Sequence, residues 1–275
     1  MHRTNLNVRL DAMGKRGFAI GLVALLLATG CITTSEFADE SPGVSVARAK
    51  RDLGIEDLKT NRTGMAIRGF RASLELDADD PQTHLWLGEA YRRKSRTPLA
   101  EEHLVEAIRL AARSKDIQTE QEARLNLSAL LSQMGRYEDS IEHCERLAAD
   151  PTLSTPWRPM TNCGWALMRL GRLDEAREHF VEALDFFPRF GPALLNLGIL
   201  EAKQGNRLAA IKTLELIDEA RIGRSGKAEA NYRLGELYVA LGRRDLALTR
   251  FLAAVEAAPT LDWGSQSQAY LDLLR

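Results

Sequence analysis

Aromatic residues make up only 6% of this 275-residue chain, and the runs of β-branched residues that build sheets are hard to find. Both shortages argue against a sheet protein. Three cysteines are too few for a disulfide-dense scaffold. Neither sign of charge prevails: 37 Lys and Arg oppose 38 Asp and Glu, a formal net charge of −1. That balance gives no support to a sequence-wide basic footprint for nucleic acid. With 45% hydrophobic residues, disordered and collagen-like chains are excluded as well. The abundant residues are Ala, Leu, Glu and Arg, which favour helices. Length alone permits one large core, whereas composition points to helices in series.

The first segment reads as an address. Arg3, Arg9, Lys15 and Arg16 stand against a single Asp11, and Phe18 to Ala28 is almost purely apolar. These 11 residues fall well short of the roughly 20 that span a bilayer. A positive n-region, a short apolar h-region and small residues at the boundary describe a secretory signal peptide over residues 1–30. Ala28-Thr29-Gly30 before Cys31 resembles the lipobox of bacterial lipoproteins, although Ala28 stands where Leu is most usual. The resemblance implies that the Cys31 thiol receives a diacylglyceryl group and that Cys31 becomes an N-acylated amino terminus. No other cofactor is expected. Ile32 follows Cys31; by likeness to enterobacterial lipoproteins, the absence of Asp there implies the periplasmic face of the outer membrane. Loss of residues 1–30 would take the net charge from −1 to −4. Residues 31–46, with Ser41-Pro42-Gly43, read as the lipidated Cys and a flexible tether. Its reach is roughly 20 Å.

Repeats dominate the remainder. Leu87-Gly88-x-x-Tyr91 is echoed by Leu234-Gly235-x-x-Tyr238, and Leu197-Gly198 and Leu53-Gly54 match its first half. Twelve residues beyond each glycine stand Ala100, Ala247, Ala210 and Ala66, and four further on Leu104, Phe251, Leu214 and Phe70. Pro188 and Pro259 follow Gly164 and Gly235 at the same interval. This is the tetratricopeptide pattern. It predicts an all-α superhelix: six helix-turn-helix repeats over 47–262, starting near Ala47, Pro81, Gln121, Trp157, Gly191 and Ala228, then a capping helix over 263–275. Repeat three departs most, with Ser128 and Ser140 at the two small positions. Gly135, Gly171, Gly205 and Gly242 are expected in the turns between paired helices.

Catalytic signatures are missing: no phosphate loop, no G-x-S-x-G and no H-E-x-x-H occurs. The chain is read as a non-enzyme without a small-molecule substrate. His103, His143 and His179 share the twenty-third position of successive repeats. Neighbouring helices lie about 8–10 Å apart, whereas metal–nitrogen bonds are near 2 Å, so these are read as packing positions. Cys144 and Cys163 fall on helices expected to pack together. They are read as two buried thiols, with a disulfide as the alternative.

By analogy with tetratricopeptide proteins, positions 2, 5, 9, 12 and 13 of each repeat line a concave protein-binding groove. In repeat two these are Gln82, Leu85, Glu89, Arg92 and Arg93; in repeat four, Arg158, Thr161, Trp165, Met168 and Arg169. Leu195, Ile199 and Lys203 continue in repeat five, and Tyr232 and Glu236 in repeat six. Trp165, flanked by Met and Arg, has the composition of an interface hot spot, or else packs against the next repeat. Asn126, Asn162 and Asn196 hold the sixth position of three successive repeats. Their amides either form a ladder for an extended peptide backbone or make inter-repeat hydrogen bonds.

A lipobox, a short tether and six repeats with a terminal helix resemble the pilotins of type IV pilus secretins, the PilF/PilW/Tgl group. The likeness is closest over Ser154-Thr155-Pro156-Trp157, Thr161-Asn162-Cys163-Gly164-Trp165-Ala166 and Pro192 to Glu201. The closing stretch Asp262-Trp263-Gly264 to Arg275 resembles the Tgl branch. The resemblance implies a protein partner, the pilus secretin subunit, carried to the outer membrane and assembled into its multimer there. The rival class is a scaffold lipoprotein for outer-membrane protein insertion or cell-wall enzyme recruitment. Replacing Cys31 with Ala should release the protein from the outer membrane while the repeats stay folded; membrane fractionation and circular dichroism check this, and a variant still at the membrane contradicts the lipid anchor.

Overall fold

The computed structural model describes residues 42–217 and 222–274. Cys31, the signal segment 1–30 and residues 31–41 of the expected tether lie outside the described residues. All the regular structure among the described residues is helical. The helices run α1 (Pro42–Lys59), α2 (Thr63–Leu74), α3 (Pro81–Arg93), α4 (Thr97–Ser114), α5 (Ile117–Gln133), α6 (Tyr137–Ala148) and α7 (Trp157–Arg169). They continue with α8 (Leu173–Phe186), α9 (Gly191–Lys203), α10 (Arg207–Glu215), α11 (Gly223–Ala240), α12 (Arg244–Ala257) and α13 (Asp262–Leu274). Each odd-numbered helix packs on the even-numbered helix that follows it, and each pair stacks on the next.

Five of the six hairpins are held by one interlocking pair of a glycine and a large side chain. A methyl group placed on Gly164 would lie 2.6 Å from the Phe180 ring, and one on Gly88 2.8 Å from Leu104. Gly54 with Phe70, Gly198 with Leu214 and Gly235 with Phe251 repeat this arrangement. Phe70, Leu104, Phe180 and Phe251 are completely buried, which is worth roughly 1.5–3 kcal/mol for each large side chain. The turns need a left-handed residue: Gly171 has φ 82° with open space around it, so its glycine is required by conformation and not by crowding. In the first two repeats Asn61 and Ser95 take that conformation instead.

Spacing irregularities are absorbed by longer helices. The 40-residue step into repeat three is taken up by α4 and α5, of 18 and 17 residues. Helix α11 starts at Gly223, five residues before the expected start at Ala228, and Ile222 just before it seats its side chain against Gly191 and Gly226. Residues 42–46, expected as tether, instead open α1. The physical reason is that Pro42 is pre-set for a first helical turn, and Ser45 Oγ donates to its carbonyl at 3.0 Å. At the other end Leu271 is buried and Tyr270 stacks on Phe251, with ring centroids 4.6 Å apart.

Cys144 and Cys163 form a disulfide, which corrects the expectation of two free thiols. Cys144 occupies in repeat three the position that Phe or Leu fills elsewhere. The smaller side chain leaves room for Ser128 where the other repeats have glycine. Ser140 Oγ donates to the Ser128 carbonyl at 2.7 Å and receives a hydrogen bond from Ser132 Oγ at 2.8 Å. The bridge joins α6 to α7, tying repeat three to repeat four.

The histidines pack as expected, with one addition. His84 and His103 bring their Nδ1 atoms to 3.0 Å. His84 Nε2 lies 3.2 Å from the Ala78 carbonyl, which can only accept. With both rings neutral, His84 carries its proton on Nε2 and His103 donates from Nδ1. Burial, and then the charge of His84, holds His103 below its ordinary value near 6.5. Burial, with Arg124 adding repulsion, does the same to His143.

Two measurements test this account. Removing the bridge with Cys144→Ala and Cys163→Ala, which opens a 19-residue span, should lower unfolding free energy by about 3 kcal/mol in urea titrations. The two depressed histidines are protonated more readily in the unfolded chain, so stability should fall as pH drops from about 7 through the ordinary imidazole range. Melting temperatures of the parent and of a His103→Asn, His143→Asn variant should show a shallower decline in the variant.

Candidate protein-binding groove

Helices α3, α5, α7, α9 and α11 share one face, and two clefts open along it. The first, of about 190 Å³, is lined by Leu125, Asn126 and Ala129 of α5, Arg158, Thr161 and Asn162 of α7, and Phe190 and Pro192 at the start of α9. The second, of about 370 Å³, is lined by Gly198, Ile199, Ala202 and Lys203 of α9 with Arg233, Glu236 and Leu237 of α11. Its floor is apolar and its rim charged. Asn126, Arg158 and Asn162 thus meet at one cleft, and Ile199 and Lys203 at the other.

Several expected groove residues serve the fold instead. Tyr232 is buried, with its ring 5.1 Å from Trp263 and 5.9 Å from Tyr270, and is removed from the groove surface by the capping helix. Burial and its hydrogen bond to Glu236 push its phenol above the ordinary range. Position 5 is buried in other repeats too, as Leu85, Thr161 and Leu195 show, and so is Met168. These side chains turn into the core between helices, and of them Thr161 lines the first cleft.

Arg92 and Arg93 both donate to the carboxylate of Glu89, at 2.7 and 2.8 Å, and Arg93 also reaches the Leu58 carbonyl. Burial would raise the Glu89 carboxyl, but the two guanidinium groups outweigh it and hold the group below its ordinary value. These arginines are therefore occupied within the protein. Arg158 spans α7 to α5 through Glu122 at 2.9 Å.

The asparagines divide. Asn162 Nδ2 donates to Ser128 Oγ at 2.8 Å, across the repeat boundary, so its amide proton is committed to packing. No side-chain hydrogen bond is made by Asn126 or Asn196 among the described residues, and both are half-buried. Trp165 is also half-buried. It packs on a cluster that includes Ile141, Phe180, Leu197 and Leu200, while the Arg169 guanidinium stands 5.6 Å from its ring and 5.3 Å from that of Tyr137. The Trp165 ring therefore joins packing to a cationic surface. Among the described residues no cluster of metal-ligating side chains occurs, and no helix is long and apolar enough to cross a membrane.

Comparison with known proteins identifies the fold. Tetratricopeptide repeat models match residues 51–117, 158–190 and 228–261. Such repeats are typically non-catalytic scaffolds, and no enzymatic family is indicated. No curated protein matches the chain. Among solved structures, PilF of Pseudomonas aeruginosa superposes with a TM-score of 0.64 at 20% identity, covering 83% of this chain and 99% of its own. PilW, described as a widely conserved type IV pilus biogenesis factor, gives 0.67 at 19% identity, covering 81% and 98%. A chain of the APC/C hetero-tetramer Cut9–Hcn1 gives 0.66 at 18% identity, but only 43% of that chain is covered. Likeness at these identities is likeness of fold. The described residues form a tetratricopeptide-repeat array.

Proposed function

We propose that this chain is a non-enzymatic, lipid-anchored outer-membrane protein that binds the type IV pilus secretin subunit and promotes its targeting and multimer assembly. Pilus biogenesis and pilus-dependent motility would then depend on it. The observation that carries the reading is the full-length correspondence with PilF and PilW, whose chains are covered at 99% and 98%. In contrast, the Cut9–Hcn1 chain matches over less than half its length. Cys31 and the residues before it support the anchor, with acyl chains each contributing about 0.8 kcal/mol per buried methylene. The clefts along the first-helix face support a protein partner and supply no catalytic constellation.

The role follows from tethering. A client held in the groove of an anchored protein is kept at high local concentration beside the membrane. Assembly of a multimeric pore is then favoured by encounter, with no chemical step. Groove binding would use the exposed part of Trp165, the free amides of Asn126 and Asn196, and the two clefts.

Deleting the gene and blotting outer-membrane fractions for heat-stable secretin multimers tests the reading. The multimers should be lost and restored by the parent gene. A Trp165→Ala protein should co-purify with the secretin at least about tenfold less well, the scale of a hot-spot truncation. Unchanged multimers in the deletion strain overturn the proposal. A general loss of outer-membrane proteins also overturns it, in favour of an insertion scaffold.

A further inference from the structure

The cleft between α9 and α11 differs from its surroundings in charge as well as in polarity. Most arginines on the first-helix face are neutralised within the protein: Arg92 and Arg93 by Glu89, Arg124 by Glu120, Arg158 by Glu122. Arg233, on the rim of the cleft, faces both Glu229 at 3.5 Å and Glu236 at 3.3 Å, and its guanidinium stands 4.6 Å from the Trp263 ring. Lys203 and Arg169 depart from this pattern. Neither side chain makes an ion pair or hydrogen bond among the described residues, and both are exposed. They hold the thirteenth position of successive repeats, on α9 and α7, whose helices pack together.

Lys203 stands on the rim of the cleft, whose apolar floor is formed by Gly198, Ile199, Ala202 and Leu237, while Arg169 lies one repeat back, over the Tyr137 and Trp165 rings. Gly198 is smooth there because Leu214 fills the opposite side of α9. One turn before Ile199 stands Asn196, whose unengaged amide offers both a donor and an acceptor. A volume of about 370 Å³ lies at the small end of the range of about 300–1,000 Å³ for ligand pockets. It admits one or two side chains.

We propose that this cleft anchors an apolar side chain of an acidic linear segment in the partner protein, with a carboxylate beside the anchor taken by Lys203 and one further along the segment taken by Arg169 on the neighbouring repeat. The segment lies across α9 in extended form, its main chain meeting the Asn196 amide. The proposal rests on the reading of the first-helix face as a protein-binding surface, and it specifies which chemistry that surface selects. Apolar burial supplies affinity, while the two cations supply selection by charge and a faster encounter. A segment with the same apolar residue but basic neighbours is rejected, because Lys203 and Arg169 have no counter-charge of their own.

The test uses the protein without residues 1–31, which removes the signal segment and the lipidated Cys31, and a display library of random 12-residue peptides, without reference to any secretin. Selected peptides should carry a large apolar residue next to Asp or Glu, and binding should weaken with rising salt. Exposed ion pairs are worth up to about 1 kcal/mol, so Lys203→Glu should weaken a selected peptide about fivefold by fluorescence anisotropy. The Arg169→Gln, Lys203→Glu double variant should weaken it about 20-fold. Ala202→Phe, which fills the cleft, should abolish binding; Lys203→Glu lies on the surface and keeps the test open if the filled variant does not fold. Selected peptides without acidic residues, or affinities unmoved by Lys203→Glu, overturn the proposal. Octanoate binding with the same dependence on Lys203 and Ala202 also overturns it, since the occupant is then a small amphiphile. Enriched acidic peptides together with unchanged secretin multimers in the deletion strain would keep this cleft and discard the secretin. Lost multimers together with no acidic enrichment would do the reverse.

Discussion

One contact organises the array: a large side chain on the second helix of each hairpin, pressed into the space that a glycine leaves on the first. Gly164 and Phe180 are so close that even a methyl group would displace the ring. The helix separation follows from this, and with it the thinness of the core. Each hairpin contributes one such plug and buries its remaining apolar surface only against the next hairpin. That is why 6% aromatic residues suffice for 275: Phe70, Phe180 and Phe251 are spent as plugs, with Leu104 and Leu214 serving in two further repeats and Cys144 in the third. It also explains why the first helices have a face to spare, since the plugs come from the opposite direction.

Repeat three shows how far the contact can be altered. Cys144 replaces the plug and Ser128 the glycine, so bulk moves from one helix to the other. The missing apolar volume is offset in two ways: the serine hydroxyls hydrogen-bond among themselves, and the sulfur makes a covalent link to Cys163 of the following repeat. The joint with the weakest plug is thus the one that is cross-linked. Asn162 completes it by donating to Ser128 Oγ, a contact that exists only because position eight is not glycine here.

The periodic part of this architecture was legible because it is local: glycine, alanine and a large residue at fixed intervals, with glycines in the later turns. Asn61 and Ser95 are not legible as turn residues in sequence because they reach a left-handed conformation more often taken by glycine. The start of α1 at Pro42 was hidden for a related reason, since Pro-Gly signals a turn and a helix start equally well. Among groove residues, Ile199 and Lys203 could be placed from repeat position alone. Tyr232 could not, because its surroundings are set by α13, which has no counterpart within the repeat pattern. Arg92 and Arg93 look like available cations in sequence, and only their convergence on Glu89 shows that they are occupied. The partnership of Cys144 and Cys163 was half-visible: both are small residues at interface positions, but the compensation with Ser128 becomes evident only when the plugs are aligned in space.

Those neutralised arginines bear on how the groove can select a partner. A guanidinium already held by a carboxylate offers little to an incoming acid, because the new ion pair must displace the old one. Arg92, Arg93 and Arg158 therefore stiffen the wall and set its shape. Arg169 is different: among the described residues its polar side-chain interactions are with the faces of Tyr137 and Trp165, which hold the charge in place without cancelling it. Lys203 on the next repeat has no partner at all among the described residues. Where compensated arginines give way to Arg169 and Lys203 on successive repeats, that stretch of the first-helix face carries an electrostatic preference of its own. A near-neutral chain can in this way discriminate by charge within its groove.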